Sequence, residues 1–273
     1  MRFNEKLNSI WQQNNSFVCV GLDPDESRFP EHLQNTPDSL FHFCKAIVDA
    51  THDVVCAYKP QIAYFSAVSA EDQLQKTIDY IRENYPRIPI ILDAKRGDIG
   101  STAEKYAQEA FEKYQADAVT INPYMGFDSA DPFLQHKDKG VVLLCRTSNA
   151  GAEDIQDLEI DGLPLYQHVA KKIHDKWNYN NNCLLVVGAT WPSQMSDIRN
   201  IVGDDIPFLV PGVGAQGGNV QDIINAGKTS DGKGLIISSS RGVLYASQQQ
   251  DFAEAARKVV LDLRDEINAY RNQ

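Results

Sequence analysis

Ile90-Ile-Leu-Asp-Ala-Lys-Arg-Gly-Asp98 is an apolar run that breaks into carboxylate, ammonium and carboxylate at positions 93, 95 and 98. A charge at the end of a buried strand costs desolvation free energy unless something pairs it, so charges this dense mark a site. Strand side chains alternate between faces. Asp93 and Lys95 therefore share one face, and Asp98 falls in the turn beyond. The spacing predicts an alternating charge array in one pocket. A plain Asp-Lys ion pair closing a strand end is the simpler reading of the same residues, and what ends the other strands decides between the two.

Seven more β-rich apolar runs surround this one: 17–23, 54–60, 118–122, 140–147, 183–190, 207–213 and 235–240. Amphipathic or charged segments at helical spacing separate them, at 38–51, 71–84, 101–114, 128–137, 164–177, 193–202, 218–227 and 250–270. Phe3, Leu7, Ile10 and Trp11 add a helix at the N-terminus. Strands apolar on both faces that alternate with helices form a parallel sheet covered by helices. Eight such units predict a single-domain (β/α)8 TIM barrel over residues 1–273, with an open doubly wound sheet as the alternative. In a barrel the chemistry sits at the C-terminal strand ends. The polar groups gather there: Asp23, Lys59, Asp93 with Lys95, Asn122, Arg146-Thr-Ser148, Thr190, the 211–216 loop and Ser240-Arg241.

The net charge of −11 and pI near 5.0 disfavour nucleic acid or an anionic membrane as the main partner. A small anionic substrate stays compatible, because a few cations in a cleft can outweigh a diffuse acidic surface. Five cysteines form no C-x-x-C and read as buried free thiols of a reducing, cytoplasmic compartment. No signal-peptide core and no apolar run of spanning length occurs. The longest polar insertion, 148–162, is read either as a lid or as an acidic surface excursion.

Pro211-Gly-Val-Gly-Ala-Gln-Gly-Gly218 and Ser238-Ser-Ser-Arg-Gly242 follow the last two runs. Glycine lets backbone N–H groups approach an oxyanion, Arg can grip a phosphate through two bonds, and these two loops are the usual phosphate site of barrels. Lys59, at the end of the second run, extends the charges into a Lys-Asp-Lys-Asp array, a preorganised electrostatic site rather than four independent acids and bases. No H-E-x-x-H, Cys-His metal spacing or G-x-S-x-G occurs, and none of the six histidines ends a predicted strand; His42 and His52 read as helix residues. Carboxylates on both sides of Lys95 favour its ammonium form, which suits a proton donor better than a Schiff-base nucleophile.

Val20-Gly-Leu-Asp-Pro24, Tyr58-Lys-Pro-Gln-Ile-Ala-Tyr-Phe65, Leu92-Asp-Ala-Lys-Arg-Gly-Asp-Ile-Gly-Ser-Thr102, Asn122-Pro-Tyr-Met-Gly126, Arg146-Thr-Ser-Asn149, the 211–218 loop and Ser240-Arg-Gly242 occur in this order along the chain. In these strings the chain resembles the orotidine 5′-phosphate decarboxylases, specifically their longer bacterial and archaeal branch. D-x-K-x-x-D alone marks only the wider suprafamily; the Lys-Pro-Gln-Ile-Ala and Pro-Gly-Val-Gly-Ala-Gln-Gly-Gly strings are more specific. The resemblance implies cofactor-independent, metal-free conversion of orotidine 5′-phosphate to uridine 5′-phosphate and CO2, the last step of de novo UMP synthesis. It implies Asp93 against the substrate carboxylate, and Lys95 stabilising the C6 carbanion and protonating it. Lys59 and Asp23 would hold ribose hydroxyls, Ser148 the pyrimidine amide edge, and Gln216 with Arg241 the phosphate. Asp98 and Thr102 would reach a neighbouring subunit's site in a homodimer.

Two other readings are open. Metal-dependent sugar-phosphate decarboxylases or aldolases of the suprafamily share D-x-K-x-x-D but need an extra acidic ligand near the ends of runs one and two, where Lys59 closes run two. A non-catalytic nucleotide- or phosphate-sensing barrel has no use for a proton donor aimed at carbon.

Overall fold

The computed structural model describes residues 1–213 and 218–271. Eight parallel strands follow one another in the predicted places: β1 (Val18–Leu22), β2 (Ala57–Pro60), β3 (Ile91–Arg96), β4 (Ala118–Ile121), β5 (Gly140–Arg146), β6 (Cys183–Val187), β7 (Phe208–Pro211) and β8 (Leu235–Ser239). Each pairs with its sequence neighbour, and β8 returns to β1 through Val18↔Ile237, Cys19↔Ser238 and Val20↔Ser239. The β2–β3 seam is joined more thinly, by the single bridges Tyr58↔Ile90 and Gln61↔Asp93. The sheet thus closes into the barrel rather than the open doubly wound alternative.

The helices of eight or more residues are α1 (Phe3–Gln13), α2 (Ser39–Thr51), α3 (Glu71–Asn84), α4 (Gly100–Gln108), α5 (Phe127–Leu134), α6 (Leu165–Lys172), α7 (Pro192–Val202), α8 (Val220–Gly227) and α9 (Phe252–Arg271). α4 and α6 run on as π-helical turns over Glu109–Lys113 and Ile173–Trp177, which accounts for the full predicted lengths. His42 lies in α2 and His52 caps its C-terminal end. All five cysteines are free and buried, and burial pushes the Cys19 thiol up to about 12. No helix among the described residues is long and apolar enough to cross a membrane.

The N-terminal helix closes the barrel floor, opposite the polar strand ends. Its stripe of Phe3, Leu7, Ile10 and Trp11 is buried. Polar ties link it to the segments that enter the strands: Phe3 N–H donates to Asp138 O (2.9 Å), Asn14 Nδ2 to Val55 O (2.7 Å), and Lys6 pairs with Asp117 (2.8 Å). Gly140, the first residue of β5, lets Phe3 sit down. A Cβ there would lie 2.7 Å from Phe3 Cδ1 and 2.9 Å from Ala118 Cβ. Gly140→Ala should therefore lift α1 and destabilise the fold by about 1 to 3 kcal/mol. Urea unfolding checks this; an unchanged midpoint would mean that α1 does not bear on the barrel floor.

Candidate active site

Asp93 is the hub of the opposite face. β3 leaves its ladder here: the pairing with β4 shifts between Leu92 and Arg96, and Lys95 adopts φ +46°. A non-glycine residue in that region is strained, and Thr120 of β4 holds it there. Its Oγ1 accepts the N–H groups of both Ala94 (3.0 Å) and Lys95 (2.9 Å) and donates its own proton to Asp93 Oδ1 (2.9 Å). Lys95 Nζ donates to the same oxygen at 2.6 Å, and Lys59 Nζ takes the other at 2.7 Å. Both carboxylate oxygens are thus occupied by cations.

Burial differs across the triad. The Lys59 and Asp93 side chains are 7% and 8% exposed, Lys95 49%. Burial disfavours the Asp93 carboxylate, but Lys59 and then Lys95 outweigh it and hold the group well below the usual carboxylate range. Burial likewise disfavours the Lys59 ammonium, and Asp93 followed by Asp23 raises it above the ordinary lysine value. Asp23, just past β1, has a buried Oδ1 with no hydrogen-bond partner among the described residues. Tyr245 fixes its backbone, donating to Asp23 O (2.9 Å) and accepting from Asp25 N (2.7 Å). The ends of β1 and β8 are in close contact, since a Cβ on Gly21 would collide with Ser240 Oγ.

Asp23, Lys59, Asp93, Lys95, Ser148 and Arg241 line one cavity of about 1000 Å³ at this end of the barrel. Gln216 lies outside the described residues. The expectation that all four charges share this pocket needs correction for Asp98. The chain turns away after Arg96, whose carbonyl binds Asn122 N at 2.7 Å, and Asp98 Oδ1 takes the N–H of Ile99 (2.8 Å). Neither Asp98 nor Thr102, exposed in the first turn of α4, borders the cavity of its own chain. Among the described residues no group of His, Cys, Asp and Glu is arranged to hold a metal.

The contacts of Thr120 and Gln156 escaped the sequence reading. Thr120 was legible only as a lone hydroxyl in the buried run 118–121, two residues before the polar strand end. The insertion after β5 proved ordered: a helical turn over Glu153–Gln156 and a small antiparallel pair, Glu159–Ile160 with Leu163–Pro164. Gln156 of this insertion accepts the N–H of Thr147 at 2.8 Å, a link across nine residues that no spacing announces.

A closed (β/α)8 barrel with a cation-bracketed carboxylate at its C-terminal mouth defines an enzyme acting on a small polar substrate. Residues 16–259 match the orotidine 5′-phosphate decarboxylase / HUMPS family, and the chain belongs to that family. It is 64% identical over 273 residues to the orotidine 5′-phosphate decarboxylase of Cellvibrio japonicus, covering 99% of this chain and 100% of that one. Its counterpart in Ralstonia pickettii is 61% identical over 272 residues, the whole of both chains. Among solved structures, Leishmania donovani OMP decarboxylase matches at TM-score 0.82 and 37% identity, over 97% of this chain and 99% of that one. Leishmania donovani UMP synthase matches at TM-score 0.88 and 39% identity, over 99% of this chain and 57% of the longer one.

The bracketed carboxylate has a measurable consequence. In the wild type the stabilisation from ionised Asp93 is present above the ordinary carboxylate pKa and is lost only as pH falls through the depressed folded value. Asp93→Asn strips the buried Lys59 of its main counter-charge and should cost about 3 to 5 kcal/mol at neutral pH. Burial then holds Lys59 below its unfolded pKa, the unfolded chain binds more protons, and the variant's deficit should shrink towards about pH 9.5. Urea titrations at both pH values check this; a deficit that does not change with pH would count against the pairing.

Proposed function

We infer that the chain decarboxylates orotidine 5′-phosphate to uridine 5′-phosphate and CO2 without a cofactor, the last step of de novo UMP synthesis. The observation that carries this reading is the Asp93 carboxylate held between Lys59 and Lys95, with Lys95 half exposed to the cavity. Asp93 stays ionised, so a substrate carboxylate set beside it is repelled, and the repulsion ends when CO2 leaves. The C6–carboxylate bond breaks with its electron pair left on C6. The Lys95 ammonium stabilises that developing charge and then gives it a proton, and solvent reprotonates the amine. Lys59 and Asp23 are assigned to the ribose hydroxyls, Ser148 to the pyrimidine amide edge, and Arg241 with Gln216 to the phosphate, whose remote binding energy can order the array.

An ammonium at the end of β2, already paired with Asp93 at 2.7 Å, occupies the region where metal-dependent members of the suprafamily need an acidic ligand. The decisive assay follows loss of the orotate absorbance with purified protein. Turnover should survive exhaustive chelation and fall by at least about a thousand-fold in Lys95→Ala, which removes the group that stabilises the transition-state charge. Activity lost to chelation and restored by Mg²⁺ would favour the sugar-phosphate reading instead.

The active unit is proposed to be a homodimer with shared sites, acting in the cytoplasm, the reducing compartment that five free buried thiols suit. Asp98 and Thr102 do not border their own cavity and lie next to exposed Ile99; Tyr124, Met125 and Phe127 carry an exposed apolar strip along the same rim. A second copy would cover that strip and receive Asp98 into its site. Lys95→Ala and Asp98→Ala homodimers should then each be nearly inactive. Reassorting an equimolar mixture makes about half the dimers mixed, each with one intact site, so about a quarter of wild-type activity should return. No recovery in verified heterodimers would place Asp98 in its own chain's site.

A further inference from the structure

Arg146 ends β5 with its side chain fully buried, yet it does not border the cavity. Its guanidinium lies 4.2 Å from the centre of the Trp191 ring. Nη1 donates to Gln156 Oε1 at 3.3 Å and Nη2 to Asp157 Oδ2 at 3.0 Å. Both acceptors belong to the insertion that follows β5. Arg146 Nε and Asp157 Oδ1 are buried with no hydrogen-bond partner among the described residues. An ion pair between a fully buried guanidinium and a partly exposed carboxylate, each with an orphaned buried atom, is a poor source of stability, because the desolvation cost can exceed the Coulombic gain. The geometry it imposes on its neighbours is the better explanation.

Those neighbours lead to the cavity wall. Gln156, held by Arg146, accepts the Thr147 N–H (2.8 Å) and donates to Thr147 Oγ1 (2.9 Å). Trp191, stacked on the guanidinium, donates from Nε1 to Thr147 O at 3.1 Å. The peptide N–H, carbonyl and hydroxyl of Thr147 are therefore all set by groups that Arg146 touches. The next residue, Ser148, lines the cavity and rests directly on Gly188, where a Cβ would come within 2.8 Å of Ser148 Cα, Cβ and N. Gly188 N–H in turn donates to Arg146 O at 2.7 Å.

We propose that Arg146 is a positioning residue for recognition of the base: its guanidinium anchors the insertion through Gln156 and Asp157 and so sets Ser148 against the pyrimidine. This rests on the assignment of Ser148 to the pyrimidine made above. A planar fork can reach two acceptors while packing over an indole ring; the compact ammonium of lysine cannot do both.

The test compares two competitive inhibitors in Arg146→Lys and Arg146→Met: UMP, which carries the base, and ribose 5-phosphate, which lacks it. UMP inhibition should weaken by about ten-fold or more, the scale of one or two lost hydrogen bonds, while ribose 5-phosphate inhibition is unchanged. Thermolysin should also cut faster within residues 149–162, where Ile155, Leu158 and Ile160 are exposed. If those variants do not fold, Gln156→Ala, which keeps the Arg146–Asp157 pair, should show the same base-selective loss. Equal weakening of both inhibitors, or of neither, in a folded variant overturns the proposal. Wild-type protein inhibited equally by both compounds would instead overturn the assignment of Ser148. The protease result then decides the anchor, with unchanged cleavage in Arg146→Lys overturning it.

Discussion

A buried carboxylate that must stay ionised at the barrel mouth needs positive charge on each of its oxygens. Lys59 supplies it to Asp93 from the neighbouring strand, and Lys95 from two residues along the same strand. The demand shapes the backbone. β3 abandons its regular pairing, Lys95 takes a left-handed conformation, and Thr120 binds two main-chain amides to hold it there. The left-handed residue is strained by about 1 to 3 kcal/mol, which the array stabilises and the hydroxyl of Thr120 directs. Lys59 does not need exposure to contribute, because its charge makes the carboxylate tolerable, whereas Lys95 is half exposed and lines the cavity.

Much of this was legible in the order of residues because each feature is local. The eight strands and their polar ends follow from short apolar runs, and Asp93 and Lys95 share a face because strand side chains alternate. Asp98 marks where local reading stops. Six residues of pattern place it in the array, but the turn after Arg96 carries it out of its own chain's cavity. Thr120 was missed for the opposite reason: a single Thr in a β-strand is ordinary, and only the pairing of β3 with β4 gives it three partners. The mesh of Arg146, Gln156, Asp157 and Trp191 joins residues 9 to 45 positions apart, beyond the reach of any periodicity.

The two faces of the barrel solve different problems with similar side chains. At the floor, buried Arg199 donates to the carbonyls of Gly203, Ile206 and Gly227, at 2.7 to 2.9 Å, and burial lowers its pKa to about 10. It contacts main chain alone in these bonds, and what it joins are the ends of α7 and α8 and the approach to β7. Arg146, at the mouth, instead binds side chains of an insertion and through them shapes a cavity wall. One arginine is architecture, and the other links architecture to a cavity wall.

The thin β2–β3 seam has a further consequence. Every other neighbouring pair in the barrel is a hydrogen-bonded ladder, but here two single bridges and the Lys59–Asp93 ion pair span the join. Opening free energies vary across a fold, and regions with few backbone hydrogen bonds open first. The barrel would therefore part most readily along the line that runs through the Lys59–Asp93 pair. A bound ligand bridging the ends of both strands would act as a clasp, slowing hydrogen exchange in the whole barrel. Resistance to unfolding and the charge arrangement of the cavity are then two readings of one bond, and neither can be tuned without moving the other.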